Sequence, residues 1–423
     1  MARLIVAGGV SLNGSCRIGG AKNAVLPILA ACILTQKPVR LLDCPRLSDV
    51  DNMVRILQTL GCRVERKGTT LEIFADCADR YALPEPLSKE LRSSIFLLGP
   101  VLGRFGRANV TYPGGCEIGN RPIDLHLSGL RRLGVEIREE GGRILCQSSR
   151  LTGAEIHLDY PSVGATENIM MAAVSAEGET ILRNAAREPE ILDLQTFLCE
   201  AGYQVSGAGS STIIIHGGCD PRPVEHRVMP DRIVAGTLLT AAAITRGRVT
   251  VENVIVEHMA ATLAKLEECG CGISIHGDAV TLQGSTRPKE LQLVETLPHP
   301  GFPTDMQAQI FSLCAVADGT SVIVENVFEN RFKHAQELSR MGAVSTIKAC
   351  TAVIRGVPML HGARVTAHDL RGGAALVLAG LAADGETIVE NCAHIDRGYE
   401  RLEETLNALG ARIRREEDYE SDG

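Results

Sequence analysis

One structural unit is repeated six times along the chain. Each copy contains a helix whose apolar residues recur at spacings of three and four, and each of these helices ends at a glycine. The six glycines are Gly61, Gly134, Gly202, Gly270, Gly342 and Gly410, at spacings of 73, 68, 68, 72 and 68 residues. Self-similarity at a nearly fixed period indicates that the fold is built from copies of one supersecondary unit. Glycine after the last turn predicts a left-handed cap on each helix.

Short strands flank each of these helices. One strand-like segment precedes the helix, and two strands divided by turn residues follow it, as in "RVERKGTTLEIF" and "GISIHGDAVTLQG". The six preceding segments are "VRLLDC", "ANVTYP", "TILRNA", "VTVENV", "VIVENV" and "TIVENC". Each copy therefore predicts a small sheet beside an amphipathic helix.

A second kind of helix lies before each of these strands and is apolar almost all round. The six segments are "NAVLPILAACIL", "SSIFLLGPVLG", "TENIMMAAVSA", "RIVAGTLLTAAAI", "MQAQIFSLCAVA" and "GGAALVLAGLAA". A helix without a polar face has to be buried on all sides. Six such helices predict two packed groups of three. We therefore expect an α/β protein of two similar domains, with buried helices inside and short sheets outside.

Composition excludes several classes of partner. The net charge is -8, and the basic residues are spread along the chain, so nothing predicts a nucleic-acid-binding surface. The apolar runs are shorter than the roughly 20 residues that cross a bilayer, and the first residues do not have the pattern of a signal peptide. The 14 cysteines are scattered, without CxxC pairs or metal-ligand spacing. We expect a cytoplasmic protein with no membrane insertion and no metal, and nothing in the sequence implies an organic cofactor.

Charged and polar residues occur where the apolar helices begin. The openings read "GGAKN", "KELRSS", "PSVGAT", "MPDR", "FPTD" and "HDLRGG", and they contain Lys22, Asn23, Arg92, Ser162, Gly164, Asp231, Arg232, Asp305, Asp369 and Arg371. Helix N-termini carry unpaired backbone N–H groups and a partial positive charge, which suit phosphate and carboxylate. If the copies are arranged pseudo-symmetrically, these openings converge on one cleft that binds an anion.

Each opening also has a purely structural interpretation. Asp and Ser are ordinary N-caps, so capping is the alternative role of Asp231 and Asp369. A basic side chain at a helix N-terminus opposes the helix dipole, and for Lys22 and Arg371 this favours an anionic ligand. An ion pair with a neighbouring carboxylate is the alternative for Arg92 and Arg232.

Three further arginines follow strands at matched positions. Arg121 follows "VTYPGGCEIGN", Arg331 follows "VIVENVFEN" and Arg397 follows "TIVENCAHID". The planar guanidinium group can hold a phosphate or a carboxylate through two parallel hydrogen bonds. Solvated surface charge is the alternative for any one of them, and the matched positions favour a shared ligand.

Several motifs resemble, in their order and spacing, those of the enolpyruvyl transferases, in particular the branch that acts on UDP-N-acetylglucosamine. They are "GGAKNAVLPILAA", "PGGCEIGNRPIDLH", "PSVGATENIMMAA", "PGFPTDMQAQ", "ENRFKHAQELSRMGA" and "HDLRGGAALVLAGL". The resemblance runs from about residue 5 to about residue 415. It implies a pair of inside-out α/β barrels that close on substrate, one formed by residues 22–229 and the other by residues 1–21 with 230–423.

The resemblance implies transfer of the enolpyruvyl group of phosphoenolpyruvate to the 3'-hydroxyl of UDP-N-acetylglucosamine, with release of phosphate. This is the first committed step of peptidoglycan synthesis and proceeds by addition and elimination through a tetrahedral ketal. Family matching assigns Lys22, Arg121 and Arg397 to the phosphate and Arg331 and Arg371 to the carboxylate of phosphoenolpyruvate.

The reaction also needs an acid and a base. By resemblance, Cys116 protonates C3 of the enol, and Asp305 faces the reacting carbons from the other side. As in family members, a reactive thiol at this position implies covalent adducts with phosphoenolpyruvate or with the epoxide fosfomycin. The structural alternative for Cys116 is a small buried hydrophobic residue.

The resemblance further implies a set of contacts to the sugar nucleotide. The implied residues are Asn23, Arg92, Arg121, Pro122, Ile123, Asp124, Leu125, Ser162, Val163, Gly164, Asp305 and Val327. Asp369 is a further predicted substrate-binding residue. The "PSVGAT" turn at the start of a helix is by its own chemistry a diphosphate cradle.

Three other functions remain as alternatives. A transferase acting on shikimate 3-phosphate is disfavoured because that family lacks the "GGCEIGNRPIDLH" loop. A non-catalytic paralogue that binds the sugar nucleotide is disfavoured because Lys22, Cys116, Asp305, Arg371 and Arg397 occur together. In a purely structural repeat protein, the charged helix openings would have no role.

Overall fold

The computed structural model describes residues 2–112 and 123–417, which divide into two compact units. The first unit contains described residues 19–112 and 123–229, and the second contains residues 2–18 and 230–417. Each unit has its own hydrophobic core. In both, apolar helices are buried and short sheets accompany them, so the predicted α/β class is confirmed.

Three buried helices form the centre of the second unit. They are Arg232–Ile244, Gln307–Ala315 and Leu370–Ala382, and each packs against the other two. Every residue of Gln307–Ala315 is buried. This packed group of three is the arrangement that the absence of a polar face predicts.

The first unit has the same plan with one local difference. Its buried helices are Lys22–Ala31, Leu98–Phe105 and Val163–Ala173. The sequence predicts that the middle helix begins near Ser93, but residues Arg92–Leu97 form a 3₁₀ helix and the α-helix begins at Leu98. Pro100 explains the late start, because proline has no N–H group and is tolerated only in the first turn of a helix.

The remaining helical segments lie around these groups. In the first unit they are Cys32–Leu34 (3₁₀), Ser48–Thr59, Glu85–Glu90, Asp124–Arg132 and Pro189–Glu200. In the second they are Val256–Met259 (3₁₀), Ala260–Glu268, Thr304–Met306 (3₁₀), Lys333–Arg340, Ala393–Asp396 and Leu402–Ala408. Within the described ranges, no helix is long and apolar enough to cross a membrane.

The five four-stranded sheets among the described residues repeat one pattern, in which an edge strand pairs in parallel with a second strand that pairs antiparallel with a third. In strand order, the sheets of the first unit are Val224–Arg227, Val39–Leu42, Thr70–Phe74, Arg63–Lys67; Arg107–Thr111, Arg143–Gln147, Glu136–Glu140; and Glu155–His157, Glu179–Arg183, Thr212–His216, Gln204–Ser206. Those of the second unit are Asn13–Arg17, Arg248–Glu252, Ala279–Gln283, Gly272–His276; Val294–Thr296, Thr320–Glu325, Thr351–Arg355, Val344–Lys348; Arg364–Thr366, Glu386–Glu390, Ala2–Ala7, Arg412–Glu417; and the short pair Leu360–His361, Ala383–Asp384.

The last repeat is completed by the beginning of the chain. The sequence predicts two strands after the helix Leu402–Ala408, but only Arg412–Glu417 follows it within the described residues. Strand Ala2–Ala7 takes the other place and pairs antiparallel with both Arg412–Glu417 and Glu386–Glu390. The first residues of the chain therefore belong to the second unit.

The predicted glycine caps are present in all six copies. Gly61, Gly134, Gly202, Gly270, Gly342 and Gly410 have φ between +87° and +102°. At Gly270, the glycine N–H donates to the carbonyl of Glu267, and the N–H of Cys271 donates to the carbonyl of Leu266. This pair of hydrogen bonds is the Schellman motif, and it turns the chain from the helix into the next strand.

Two neighbouring glycines allow a test of this cap. A β-carbon would make only ordinary contacts at both Gly270 and Gly272, but only Gly270 has a left-handed φ, of +88°. We expect Gly270→Ala to lower the free energy of unfolding by about 1 kcal/mol, because an L-residue is strained in this conformation. The matched control Gly272→Ala should be neutral or slightly stabilising. Urea denaturation of both variants measures the difference, and equal stabilities would contradict the cap.

Candidate active site

Lys22 opens the first buried helix of the first unit. It is the first residue of Lys22–Ala31 and is only 8% exposed, and the N-cap residue Ala21 supplies no side-chain hydrogen bond. The Nζ of Lys22 lies 2.7 Å from Oδ2 of Asp49, a buried residue in the first turn of Ser48–Thr59. The carboxylate of Asp49 therefore balances the charge of Lys22, which is unfavourable at a helix N-terminus.

The "PSVGAT" turn forms the predicted helix opening. Ser162 is the N-cap of Val163–Ala173, and its Oγ accepts a hydrogen bond from the N–H of Ala165 at 3.3 Å. The first N–H groups of a helix have no partner within the helix itself. This end can therefore accept an anion through its backbone, although Ser162 also acts as an ordinary cap.

Other predicted nucleotide-binding residues lie in the first unit. Asn23 is exposed in the first turn of Lys22–Ala31, and Arg92 is half-buried at the start of the 3₁₀ helix Arg92–Leu97. Ile123 and Asp124 form the N-terminal boundary of Asp124–Arg132, and Leu125 packs against the core. The predicted residues Cys116, Arg121 and Pro122 lie outside the described residues.

In the second unit, two buried arginines converge on Asp305. Nη2 of Arg331 lies 2.7 Å from Oδ1 of Asp305, and Nη2 of Arg371 lies 3.0 Å from Oδ2. The arginine side chains are 4% and 3% exposed, whereas that of Asp305 is 24% exposed. Burial alone would raise the pKa of Asp305, but the charges of Arg371 and Arg331 outweigh it and hold the pKa well below its usual range.

The arginine pair retains donors for a ligand. Nε of Arg331 and both Nε and Nη1 of Arg371 are buried and make no hydrogen bond within the described part of the chain. Burying donors without partners is costly, and it is justified where an incoming acceptor completes the hydrogen bonds. The cluster of Asp305, Arg331 and Arg371 therefore has the composition of a site for a small carboxylate or phosphate.

Arg331 is held in place by residues that the sequence does not identify. Its Nη1 donates to Oγ1 of Thr304 at 2.9 Å, and this hydroxyl donates to Oε2 of the buried Glu325 at 2.9 Å. Oε1 of Glu325 accepts from the backbone N–H groups of Val327 and Phe328. Val327, a predicted nucleotide contact, is thus fixed through its N–H by the same carboxylate that orients Thr304.

Asp231 and Asp369 both act as helix N-caps, as the structural alternative predicts. Oδ1 of Asp231 accepts from the N–H groups of Ile233 and Val234 at 2.8 and 3.0 Å. Oδ1 of Asp369 accepts from the N–H groups of Arg371 and Gly372, both at 2.9 Å. Asp369 therefore fixes the backbone from which Arg371 reaches Asp305. A direct contact between Asp369 and substrate stays a prediction.

Two further arginines lie in the second unit at the places expected from the repeats. Arg232 is the first residue of Arg232–Ile244 and is half-buried. Arg397 is half-buried directly after the short helix Ala393–Asp396, in the connection that follows strand Glu386–Glu390.

Comparisons with known proteins were made for the whole chain. The family model described as EPSP synthase (3-phosphoshikimate 1-carboxyvinyltransferase) matches residues 6–406. UDP-N-acetylglucosamine 1-carboxyvinyltransferase 2 of Caldanaerobacter subterraneus is 50% identical over 413 residues, which are 98% of this chain and 99% of the relative. UDP-N-acetylglucosamine 1-carboxyvinyltransferase 1 of Symbiobacterium thermophilum is 54% identical over 419 residues, covering 98% and 95%. The chain belongs to the enolpyruvyl transferase family, in its UDP-N-acetylglucosamine 1-carboxyvinyltransferase branch.

Solved structures agree with this membership. The enolpyruvyl transferase NikO from Streptomyces tendae has a TM-score of 0.88 and 28% identity, with 98% of each chain covered. An EPSP synthase from Acinetobacter baumannii has a TM-score of 0.75 at 18% identity, with 99% and 100% covered, and so supports the fold alone. The family and fold predicted from the sequence motifs are confirmed.

Sequence reasoning missed Asp49 in the first unit and Thr304 and Glu325 in the second. Asp49 lies in "LSDVDN", where an acidic residue in a first helical turn is unremarkable. Glu325 belongs to the recurring "VEN" motif that also contains Glu252 and Glu390, and of these three only Glu325 is buried. The motif was a signal, but it does not show which copy is buried beside a functional arginine.

His334 is buried next to this arginine cluster. Its side chain packs edge-on against Phe311 at a centroid distance of 4.9 Å, and both ring nitrogens lack a hydrogen bond within the described residues. Burial lowers the pKa of His334 to about 4, with Arg331 acting in the same direction and Asp369 in the opposite one. The ring is therefore neutral at pH 7.

This burial predicts a dependence of stability on pH. Because the folded pKa of about 4 lies below the ordinary value of 6.5, only the unfolded chain binds the proton between these values. We expect stability to fall as pH decreases from 6.5 to 4, with His334 contributing on the order of 3 kcal/mol. The variant His334→Phe keeps the ring contact and should flatten this decline.

Urea denaturation between pH 7.5 and pH 4.5 measures the effect. The control His276→Phe changes an exposed histidine of the same unit and should retain the wild-type slope. Identical slopes for wild type and His334→Phe would contradict the assignment.

Proposed function

We propose that this protein transfers the enolpyruvyl group of phosphoenolpyruvate to the 3'-hydroxyl of UDP-N-acetylglucosamine and releases phosphate. It thereby acts as a transferase in the first committed step of peptidoglycan synthesis. The observation that carries the proposal is the convergence of Arg331 and Arg371 on Asp305, in a chain similar over nearly its full length to enzymes of that name. Two fixed guanidinium groups beside a carboxylate combine anion binding with a proton acceptor.

The carboxylate of phosphoenolpyruvate binds to Arg331 and Arg371. These arginines are buried and retain unpartnered N–H groups, so a planar carboxylate completes hydrogen bonds that Asp305 alone leaves open. Arg331 donates a hydrogen bond to Thr304, which in turn donates to Glu325. Asp369 caps the helix at Arg371 and so fixes the backbone of that arginine. The arginine pair is therefore preorganised for its ligand.

Binding of this carboxylate also prepares Asp305 to act as the base. While both arginines contact Asp305, its pKa is well below the usual range, and it is a poor proton acceptor. A substrate carboxylate takes up part of the arginine hydrogen bonding and brings a second negative charge close to Asp305. Both effects raise the proton affinity of Asp305, as required for removal of the hydroxyl proton.

The remaining steps are those that the family's reaction implies, and atoms and charge balance in each. The Cys116 thiol gives a proton to C3 of the enol, the 3'-oxygen bonds to C2, and Asp305 takes the hydroxyl proton. The product is a tetrahedral ketal that still carries phosphate. In the elimination, the Cys116 thiolate takes back a proton from C3, the double bond reforms, and the bond between C2 and the phosphate oxygen breaks. Phosphate leaves with the proton that Asp305 took up, so both side chains return to their starting states. Lys22, Arg121 and Arg397 balance the charge of the leaving phosphate.

The sugar nucleotide binds through the helix openings of the first unit. The Ser162–Gly164 turn holds the diphosphate through backbone N–H groups, and Asn23 and Arg92 contribute side chains. From the family motif, the segment from Arg121 to Leu125 and the backbone at Val327 complete the set, and Asp305 reaches the reacting hydroxyl. No metal or organic cofactor is required, because the arginines and Lys22 supply the positive charge.

We place this activity in the cytoplasm, with two small-molecule substrates and neither a nucleic-acid nor a membrane partner. A UDP-sugar is a cytoplasmic metabolite, and every cysteine among the described residues is a free thiol, as expected in a reducing compartment. Shikimate 3-phosphate is a poorer candidate acceptor, because the relatives at about 50% identity carry the UDP-N-acetylglucosamine name whereas the EPSP synthase structure is 18% identical.

Phosphate release tests the function. Wild type mixed with phosphoenolpyruvate and UDP-N-acetylglucosamine should release phosphate, and omission of either substrate should abolish release. Cys116→Ala should slow release at least a hundredfold, because a general acid is lost. The matched control Cys77→Ala removes an exposed thiol and should retain the wild-type rate.

Three outcomes would contradict the proposal. No release by wild type, or release that depends on shikimate 3-phosphate instead of the UDP-sugar, would overturn the function, and equal rates for Cys116→Ala and Cys77→Ala would overturn the role of Cys116 as the acid.

A further inference from the structure

The side chain of Asn168 fixes the surroundings of the Ser162–Gly164 turn. Asn168 is fully buried in the helix Val163–Ala173. Its Oδ1 accepts from the N–H of Gly99 at 2.7 Å, its Nδ2 donates to the carbonyl of Ile95 at 2.7 Å, and the same Nδ2 lies 2.8 Å from Nδ1 of His126. One amide therefore joins three segments of the first unit.

These contacts determine the tautomer of His126. The N–H of Gly99 can only donate, so the amide atom facing it must be the oxygen of Asn168. The other amide atom is therefore NH₂, and it donates one hydrogen to Ile95 and the second to His126. Nδ1 of His126 must accept with its lone pair, so a neutral ring carries its hydrogen on Nε2.

The Cε1–Nε2 edge of this ring lies against Gly164, in the turn of the proposed diphosphate cradle. A β-carbon added to Gly164 would lie 3.1 Å from Cε1 and 3.3 Å from Nε2 of His126, which shows that the imidazole edge packs directly against this glycine. His126 is 6% exposed, and Nε2 makes no hydrogen bond to any described residue. A nearly buried donor without a partner thus lies beside the helix N-terminus at Ser162.

The ring is neutral near pH 7. Burial lowers the pKa of His126 to about 4, and the positive charge of the nearby Arg92 acts in the same direction. Arg92 is itself a predicted nucleotide-binding residue. A cation that acts on the ring electrostatically and a neutral N–H donor are therefore both candidates for one anionic group.

We propose that His126 is a further binding residue of the sugar nucleotide, donating from Nε2 to a diphosphate oxygen beside the Ser162–Gly164 turn, and that Asn168 is the positioning residue that holds the required tautomer. The inference rests on the proposed function, since it takes a UDP-sugar as the ligand. The opposite tautomer would direct a lone pair at the anion and repel it. Asn168 therefore affects diphosphate binding without touching the ligand.

The tautomer is measured first, in wild-type protein. Nitrogen-15 NMR of ring-labelled histidine, with His126→Gln used to assign the signal, should show Nε2 protonated and Nδ1 unprotonated between pH 6 and pH 8. A hydrogen on Nδ1 would overturn the proposal. This measurement does not depend on enzymatic activity.

Calorimetry then measures binding of UDP-N-acetylglucosamine and of uridine, which lacks the diphosphate. His126→Leu should weaken UDP-N-acetylglucosamine binding by roughly ten- to a hundredfold, because a hydrogen bond to a charged group is lost, and should leave uridine binding unchanged. His126→Gln supplies an N–H at about the Nε2 position and should bind within about threefold of wild type. In phosphate release, the leucine variant should raise KM for the UDP-sugar and leave kcat and KM for phosphoenolpyruvate near wild type.

The outcomes separate this inference from the proposed function. Wild-type affinity of His126→Leu for the UDP-sugar, or equal weakening of uridine and the UDP-sugar, would overturn the role of His126 while phosphate release by wild type still supports the function. The predicted binding pattern without phosphate release would support His126 and overturn the function. A UDP-sugar that fails to bind wild type would overturn both. If His126→Gln retains binding, the weaker binding of His126→Leu is due to the lost hydrogen-bond donor and not to a general loss of folding.

Discussion

A helix with no polar face has to be buried along its whole length, and this constraint organises both units. Helices such as Gln307–Ala315 and Leu370–Ala382 have almost no exposed surface, so their sides can carry little charge without large desolvation costs. Charge is placed at their ends, where backbone N–H groups are unpaired. Lys22, Asp305 and Arg371 all lie at such openings. The location of these charges is thus a consequence of how the cores are packed.

Cations buried at helix N-termini need anions, and the two units provide them in the same way. Lys22 pairs with Asp49, and Arg331 and Arg371 share Asp305. Removing one partner of a buried ion pair is strongly destabilising, because the other charge is left uncompensated. On the proposed function, a substrate anion enters sites whose charges are already balanced, and at the arginine pair it completes open hydrogen bonds and takes over part of those to Asp305. Such exchange favours ligands that present the right geometry over anions in general.

Much of the fold could be predicted because its signals are local. Glycine at a fixed place after each amphipathic helix specifies a left-handed cap, and all six glycines adopt it. The start of the helix Leu98–Phe105 was misjudged because the effect of Pro100 on the preceding turn outweighs the apolar pattern. The partner of Lys22 and the support of Arg331 could not be derived in this way. Asp49 is 27 residues away in sequence from Lys22, and among the "VEN" glutamates only tertiary packing distinguishes Glu325. The roles of Cys116, Arg121 and Pro122 remain predictions.

The cap at Asp369 links the stability of a helix end to the position of an arginine side chain. One oxygen of this carboxylate holds the backbone N–H of Arg371, while the side chain of the same arginine reaches Asp305. Local opening of the first turn of Leu370–Ala382 would therefore displace the guanidinium group. By mass action, a ligand bound to that group disfavours the opened form, so occupancy would slow the exchange of the turn's amide hydrogens with solvent. The exchange rates of the Arg371 and Gly372 amide hydrogens would thus depend on a ligand that these amides do not contact.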